Sequence, residues 1–178
     1  MSHRPRPFLA LLLAILPQLV LGADGSTLTG TWHIDLARST DLSPWKGYDL
    51  EISTSADSVT LRRKLSWGRR EFIDTMTVEP GAAETIVPVE MWPDNRHLGA
   101  YIGAAKARHV HAQWLDGHRI LRLSTDLVLE TQQGSRDVNI LSDYKVSANG
   151  AQLTLTELRS TRSRPIVYQF SHVAPTTP

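Results

Sequence analysis

The chain has 178 residues, a formal net charge of +1 and no cysteine. That length suits one domain with a substantial core. Without cysteine there is no disulfide framework, thiolate metal site or thiol nucleophile; near-neutrality leaves no global field to steer nucleic acid or an anionic membrane.

Residues 1–7 carry Arg4 and Arg6, followed by FLALLLAILPQLV and then LGA. A basic start, an apolar run and small residues predict a signal peptide over 1–23, cut after Gly22 or Ala23. The expected location is therefore periplasmic or secreted, with no lipoprotein cysteine at the cleavage point. The apolar run is about 13 residues, against roughly 20 for a bilayer-spanning helix, so no membrane span is expected after cleavage. Cleavage removes two of the 19 Lys and Arg and none of the 18 Asp and Glu, which leaves a net charge of −1.

Short alternating runs separated by turn residues then predict strands over 28–36, 48–54, 59–66, 70–78, 85–91, 98–105, 108–115, 118–130, 137–147, 151–159 and 165–173. Within the first, Trp32, Ile34 and Leu36 share the inner face, while His33 and Asp35 face out. RSTDLSPWKG holds a short helical turn or a loop. VEPGAAE and MWPDNRH read as proline-punctuated loops, and the tail 174–178 as disordered. No repeat or linker interrupts 24–173. The expected architecture is a single all-β domain, an antiparallel up-and-down barrel, with a β-sandwich as the alternative. A barrel removes the exposed edges that a long meander without covering helices would leave.

Three turns set the register, and register decides which side chains share a face. Asn149-Gly150 pairs Val146 with Leu153, Tyr144 with Leu155, Ser142 with Glu157 and Ile140 with Arg159. Asp116-Gly117 pairs Ala112 with Leu121 and Val110 with Leu123, with Trp114 beside Arg119. The turn at WGRR pairs Leu65 with Phe72, Arg63 with Asp74, Leu61 with Met76 and Val59 with Val78.

The candidate chemistry follows from these faces. Arg63 and Asp74 interrupt two apolar faces and become inward cross-strand partners. A buried ion pair of this kind is costly to desolvate, and it reads either as a polar anchor in a ligand cavity or as an internal pair closing a barrel end. Glu157 and Arg159 continue the Leu153, Leu155 face into RSTRSRP, where Arg162 and Arg164 suit an anionic head group at a barrel mouth or simply a solvated loop. Ile166, Tyr168, Phe170 and His172 share a face on the last strand. Tyr144, Tyr168 and His172 are thus candidate cavity residues, although core packing accounts for the aromatics equally well.

His109 and His111 point to one side of a strand, as a zinc pair does. The Asp116-Gly117 register sets Ser124 and Arg122 opposite them with no carboxylate on that side, and a third ligand from His97 or His118 is not dictated by spacing. A solvated strand face is the expectation, with no metal. No Gly-rich phosphate loop, G-x-S-x-G or H-E-x-x-H occurs, so no catalytic residue is assigned and no cofactor is expected. The LRRK and GRR doublets sit at a hairpin end and do not mark a nucleic-acid partner.

LTGTWHIDLARS near the start and SDYKVSANGAQLTLTELRSTRSRP near the end resemble a family of exported bacterial lipocalin-like proteins, small β domains of mostly unassigned function. Tyr144 stands where that family has an aromatic, often tryptophan. The resemblance implies that Trp32 closes the barrel base and that a late arginine packs across it, with Arg159 the best positional match and Arg164 second. It further implies a barrel with room for one small ligand. The expected function is non-catalytic binding of a small apolar or amphiphilic molecule. Trp67, Phe72, Met76, Tyr144, Leu155, Tyr168 and Phe170 would form the wall, and Arg63, Asp74 and Glu157 the anchors. Two other readings stay open: a cell-envelope interaction module with a filled barrel, and a cyclase, isomerase or hydrolase using Asp74, Glu157 or His172. Oligomeric state is not legible.

Overall fold

The computed structural model describes residues 28–93 and 99–173. The expected signal peptide, the tail 174–178 and His97 lie outside the described residues. Eleven antiparallel strands follow one another: β1 (Gly30–Ile34), β2 (Gly47–Thr54), β3 (Val59–Trp67), β4 (Arg70–Val78), β5 (Thr85–Pro88), β6 (Tyr101–Ile102), β7 (Ala107–Leu115), β8 (Ile120–Thr131), β9 (Gly134–Val146), β10 (Gln152–Arg159) and β11 (Ile166–His172). They form one continuous sheet in the order β4-β3-β2-β1-β11-β10-β9-β8-β7-β5, with β6 beside β8. The result is a nearly closed barrel, and the sandwich alternative falls because no second sheet exists among the described residues.

β1 pairs with β11, so the first and last strands meet in the wall, with Trp32 opposite His172 and Ile34 opposite Phe170. The seam lies between β4 and the β5/β7 edge. There, among the described residues, a single backbone bond, Gly81 N–H to the Ala112 carbonyl at 2.9 Å, crosses to β7.

Alternation builds the core. On β2, Tyr48, Leu50 and Ile52 point in and are buried, and Val59, Leu61 and Leu65 do the same on β3. At the base of the barrel, Trp32 is 0% exposed and its Nε1 donates to the Leu28 carbonyl at 3.0 Å. Tyr48 meets the Phe170 ring edge-on at 5.0 Å.

Two of the three predicted registers are observed residue for residue, around Asn149-Gly150 and around Gly68-Arg69. The third is shifted by two. Ala112 faces Leu123, Val110 faces Thr125 and Trp114 faces Leu121. The cause is a four-residue connection, Asp116 to Arg119, in which Asp116, Gly117 and His118 all have positive φ (51°, 60° and 66°). An even shift leaves every side chain on its predicted face, since the strand period is two.

One inward assignment fails at the end of β1. The strand stops at Ile34, and Asp35 caps a 3-10 turn over Leu36–Arg38 by accepting from the Ala37 and Arg38 N–H groups at 3.0 and 3.3 Å. That turn swings Leu36 to the surface, where it is 46% exposed.

Candidate functional site

Toward the end of the barrel opposite Trp32, the inward positions change from aliphatic to charged. Arg63 follows Leu61 on β3, Asp74 sits at the level above Met76 on β4, and Arg108 lies one inward step from Val110 on β7. The Asp74 carboxylate joins them. Arg63 Nη2 donates to its Oδ2 at 2.8 Å, while Arg108 donates Nη1 to Oδ2 and Nη2 to Oδ1, each at 3.0 Å. Because β4 and β7 lie on opposite sides of the seam, this partly buried trio fastens the barrel where no ladder does. Burial by itself would raise the Asp74 pKa; Arg63 and Arg108 outweigh it and hold the carboxyl below its ordinary value. Asp74 is therefore ionised at neutral pH and has no proton to give.

A second pair stands across the interior on β10. Glu157 Oε2 accepts from Arg159 Nε at 3.1 Å and Nη2 at 2.6 Å, and both side chains are 8% exposed. The Arg159 guanidinium lies 5.2 Å over the Trp92 ring, a cation–π contact.

Between the two ion-pair groups is a cavity of about 70 Å³. Aliphatic Leu50, Leu61, Met76 and Leu127 share its lining with Arg63, Asp74, Arg108, Tyr144, Glu157 and Arg159. Segment 89–93 covers it, contributing Val89, Met91, Trp92 and Pro93. A smaller space of about 30 Å³ adjoins it, sharing Arg63, Pro93, Glu157 and Arg159 and adding Leu42, Trp45, Tyr48 and Tyr168. Trp45 Nε1 ties the cover down by donating to the Pro93 carbonyl at 3.0 Å. Burial pushes the Tyr144 hydroxyl pKa up, and nearby Glu157 adds to that, so Tyr144 stays protonated. Two buried donors in this lining have no acceptor among the described residues: Arg108 Nε and Trp92 Nε1.

Four of the six predicted ligand residues, Arg63, Asp74, Tyr144 and Glu157, line the main cavity, and Tyr168 lines the adjoining space. His172 lines neither. It sits at the base, exposed, with its ring edge against Trp32 at 4.8 Å, because the last strand carries it past the core. Arg159 does not pack across Trp32 as the lipocalin resemblance implied. Antiparallel pairing places Trp32 opposite His172, whose N–H bonds to the Ala151 carbonyl, and Arg159 is eight residues further along β10. At about 3.3 Å per residue, the two side chains occupy opposite ends of the barrel. Trp67, expected in the wall, lies where β3 runs out of the barrel; it is 43% exposed and carries Arg70 over its ring at 5.4 Å.

Arg108 was missed, although parity was sufficient to find it, since it lies two residues before the inward Val110. Trp92 and Trp45 come from connections without periodicity and left no such signal. His109 and His111 are exposed on the outer wall. Contrary to expectation, carboxylates do join them: His109 Nδ1 lies 2.9 Å from Glu84 Oε2, and Asp126 is its cross-strand partner after the two-residue shift. Among the described residues no group of three His, Asp or Glu could hold a metal ion, and no helix is long and apolar enough to cross a membrane.

No protein-family model matches this chain, and no curated protein does. Solved structures do. One, a fatty-acid-binding protein of Schistosoma mansoni in complex with arachidonic acid, matches with a TM-score of 0.56 and 9% identity over 84% of this chain and 100% of that one. Another, the REP1-NXSQ fatty acid transporter, matches with a TM-score of 0.53 and 11% identity over 85% and 99%. The fold is a fatty-acid-binding-protein-like barrel. A third neighbour, secretory abundant heat soluble protein 4 from Ramazzottius varieornatus, is similar to the same degree, with a TM-score of 0.51 and 11% identity over 84% and 97%. At these identities the likeness is one of fold.

Proposed function

We propose that the protein is an exported, non-catalytic carrier that binds a small, partly apolar molecule with an acceptor-bearing end inside its barrel. The observation that carries this reading is the cavity in which Arg108 Nε and Trp92 Nε1 are buried donors without acceptors among the described residues. Leaving such donors unmet costs about 1–3 kcal/mol each, and a carboxylate or similar group between them removes that cost. Apolar walls around a few convergent polar groups are the usual form of a ligand pocket. The fatty-acid-binding neighbours support the same class of ligand, and the two lipocalin-like motifs support export. Asp74 and Glu157 share the cavity, but both are held by arginines and His172 is absent from it, which weighs against acid–base catalysis.

The present cavity has room for on the order of five water-sized groups. It suits a small ligand or the head end of a longer one that displaces covering side chains. That same small volume favours the second reading, an interaction module with a filled barrel. The two part on one experiment. Protein purified from its native host is extracted and the extract examined by mass spectrometry, then fluorescent fatty-acid probes are titrated. A stoichiometric bound molecule, or saturable probe uptake, supports the carrier. Trp92→Phe keeps an aromatic ring and removes the donor, and it should weaken a carboxylate probe about tenfold while leaving a probe whose end carries no acceptor unchanged. An empty extract and no uptake overturn the carrier reading in favour of a filled barrel.

A further inference from the structure

The sequence is near neutral, yet its charges are sorted along the barrel axis. At the end opposite Trp32 lie the connections 35–46, 68–69, 103–106, 132–133 and 160–165 and the segments 89–93 and 99–100. Their described residues carry Arg38, Lys46, Arg69, Lys106, Arg162 and Arg164 against Asp35, Asp41 and Glu90, a surplus of three positive charges. At the base end, the connections 55–58, 79–84, 116–119 and 147–151 carry Arg119 against Asp57, Glu79, Glu84 and Asp116, a surplus of three negative charges. The cations at the first end are not consumed locally. Arg38, Lys46, Arg69, Lys106 and Arg164 are exposed and enter no ion pair among the described residues.

Apolar exposure coincides with that charge. Leu36, Trp67 and Met91, from three separate connections or strand ends, are 46%, 43% and 43% exposed at the positive end. At the base end Val173 is the comparable residue. A solvated rim needs no exposed tryptophan, and a rim for an acidic soluble ligand needs no exposed leucine and methionine. Apolar and aromatic side chains among unpaired arginines and lysines instead match the boundary between head groups and acyl chains of an anionic bilayer. Each such cation adds about 1 kcal/mol near an anionic lipid surface.

We propose that the positive end of the barrel docks on an anionic lipid surface, with Trp67, Leu36 and Met91 at the contact. The proposal does not depend on what fills the interior. It gives the barrel an orientation: the cavity with Arg63, Asp74 and Arg108 faces the lipid, and the Trp32 base faces water.

The cysteine-free chain permits a direct test. Single cysteines replace Ser163 at the positive end or Ala148 at the base end in the full chain, and each carries an environment-sensitive nitrobenzoxadiazole label. Vesicles of phosphatidylcholine with 30% phosphatidylglycerol (about that fraction) should blue-shift and brighten the Ser163→Cys label and leave Ala148→Cys unchanged. Pure phosphatidylcholine should move neither, and 0.5 M salt (about that value) should reverse the change by screening. In the Ser163→Cys background, Arg69→Gln with Arg164→Gln should weaken binding about fivefold for each arginine removed. Both are exposed, so circular dichroism should show an unchanged fold. Movement of the Ala148→Cys label irrespective of lipid charge would mean that the chain binds by another part than the positive end. That outcome overturns the proposal, as does a Ser163→Cys label silent on anionic vesicles.

Discussion

At the base of the barrel, Trp32, Leu121, Leu153 and Phe170 point inward and are at most 1% exposed. Further up the barrel, the inward positions hold Arg63, Asp74, Arg108, Glu157 and Arg159 around a small cavity. Backbone alternation is the same in both halves; what differs is the side chain that each inward step presents. The base is dry and filled by shape, so its residues contribute through burial and packing. The upper half is lined by charge, and its geometry is fixed by directional bonds within β10, across the β3–β4 hairpin and, from Asp74 to Arg108, across the seam. A stable container and a polar site therefore coexist because they occupy different levels of one barrel, with the polar trio also bridging the seam that the ladder leaves open.

The sharpest way to break this comparison is at its base. Trp32→Ala should cost about 3–5 kcal/mol, the range for truncating a buried large aromatic, read by urea unfolding, while probe affinity per folded molecule stays unchanged. In the upper half, Asp74→Asn should cost about 3 kcal/mol at neutral pH, because two arginines lose their buried counter-charge. The folded-state pKa of Asp74 is depressed, so its contribution is fully present above the ordinary carboxylate pKa of about 4 and is lost as pH falls through the folded value. The wild-type stability advantage over Asp74→Asn should accordingly shrink below about pH 4; an advantage that persists unchanged into stronger acid would contradict the ion-pair account. A smaller effect is expected at Gly30, which has φ of +144° and where a Cβ would collide with His172 Nε2. Gly30→Ala should cost about 1–2 kcal/mol, and His172→Ala in the same chain should recover the part due to the clash. Smallest of all, the exposed His33–Asp49 pair at 2.6 Å should be worth less than about 0.5 kcal/mol on His33→Ala. A large loss there would mean that the outer wall carries more of the fold than its burial indicates.

Much of the site was legible because turns transmit register. Gly68-Arg69 sets Arg63 opposite Asp74, and Asn149-Gly150 sets Glu157 on the face of Leu153 and Leu155. Parity then extends to Arg108. The errors share a cause: each lies where a strand ends or a connection begins. Leu36 turns out because Asp35 caps the chain away from β1. Trp67 keeps the inward phase but leaves the barrel. The connection from Asp116 to Arg119 takes two more residues than its Asp-Gly signal indicated. Arg159 was matched to the base by resemblance, although its register with Ile140 already placed it at the far end of β10.

The sequence by itself determined the strand periods, the inward and outward faces and two of the three hairpin registers, because those follow from local alternation and turn chemistry. Only the tertiary structure decided that β1 closes on β11, that Asp74 reaches Arg108 across the seam, and that Trp92 and Trp45 from two unpatterned connections cover the cavity. It also decided that a nearly neutral chain sorts its charges to opposite ends. Those facts depend on distances between residues tens of positions apart, which closure of the barrel fixes and no local pattern encodes.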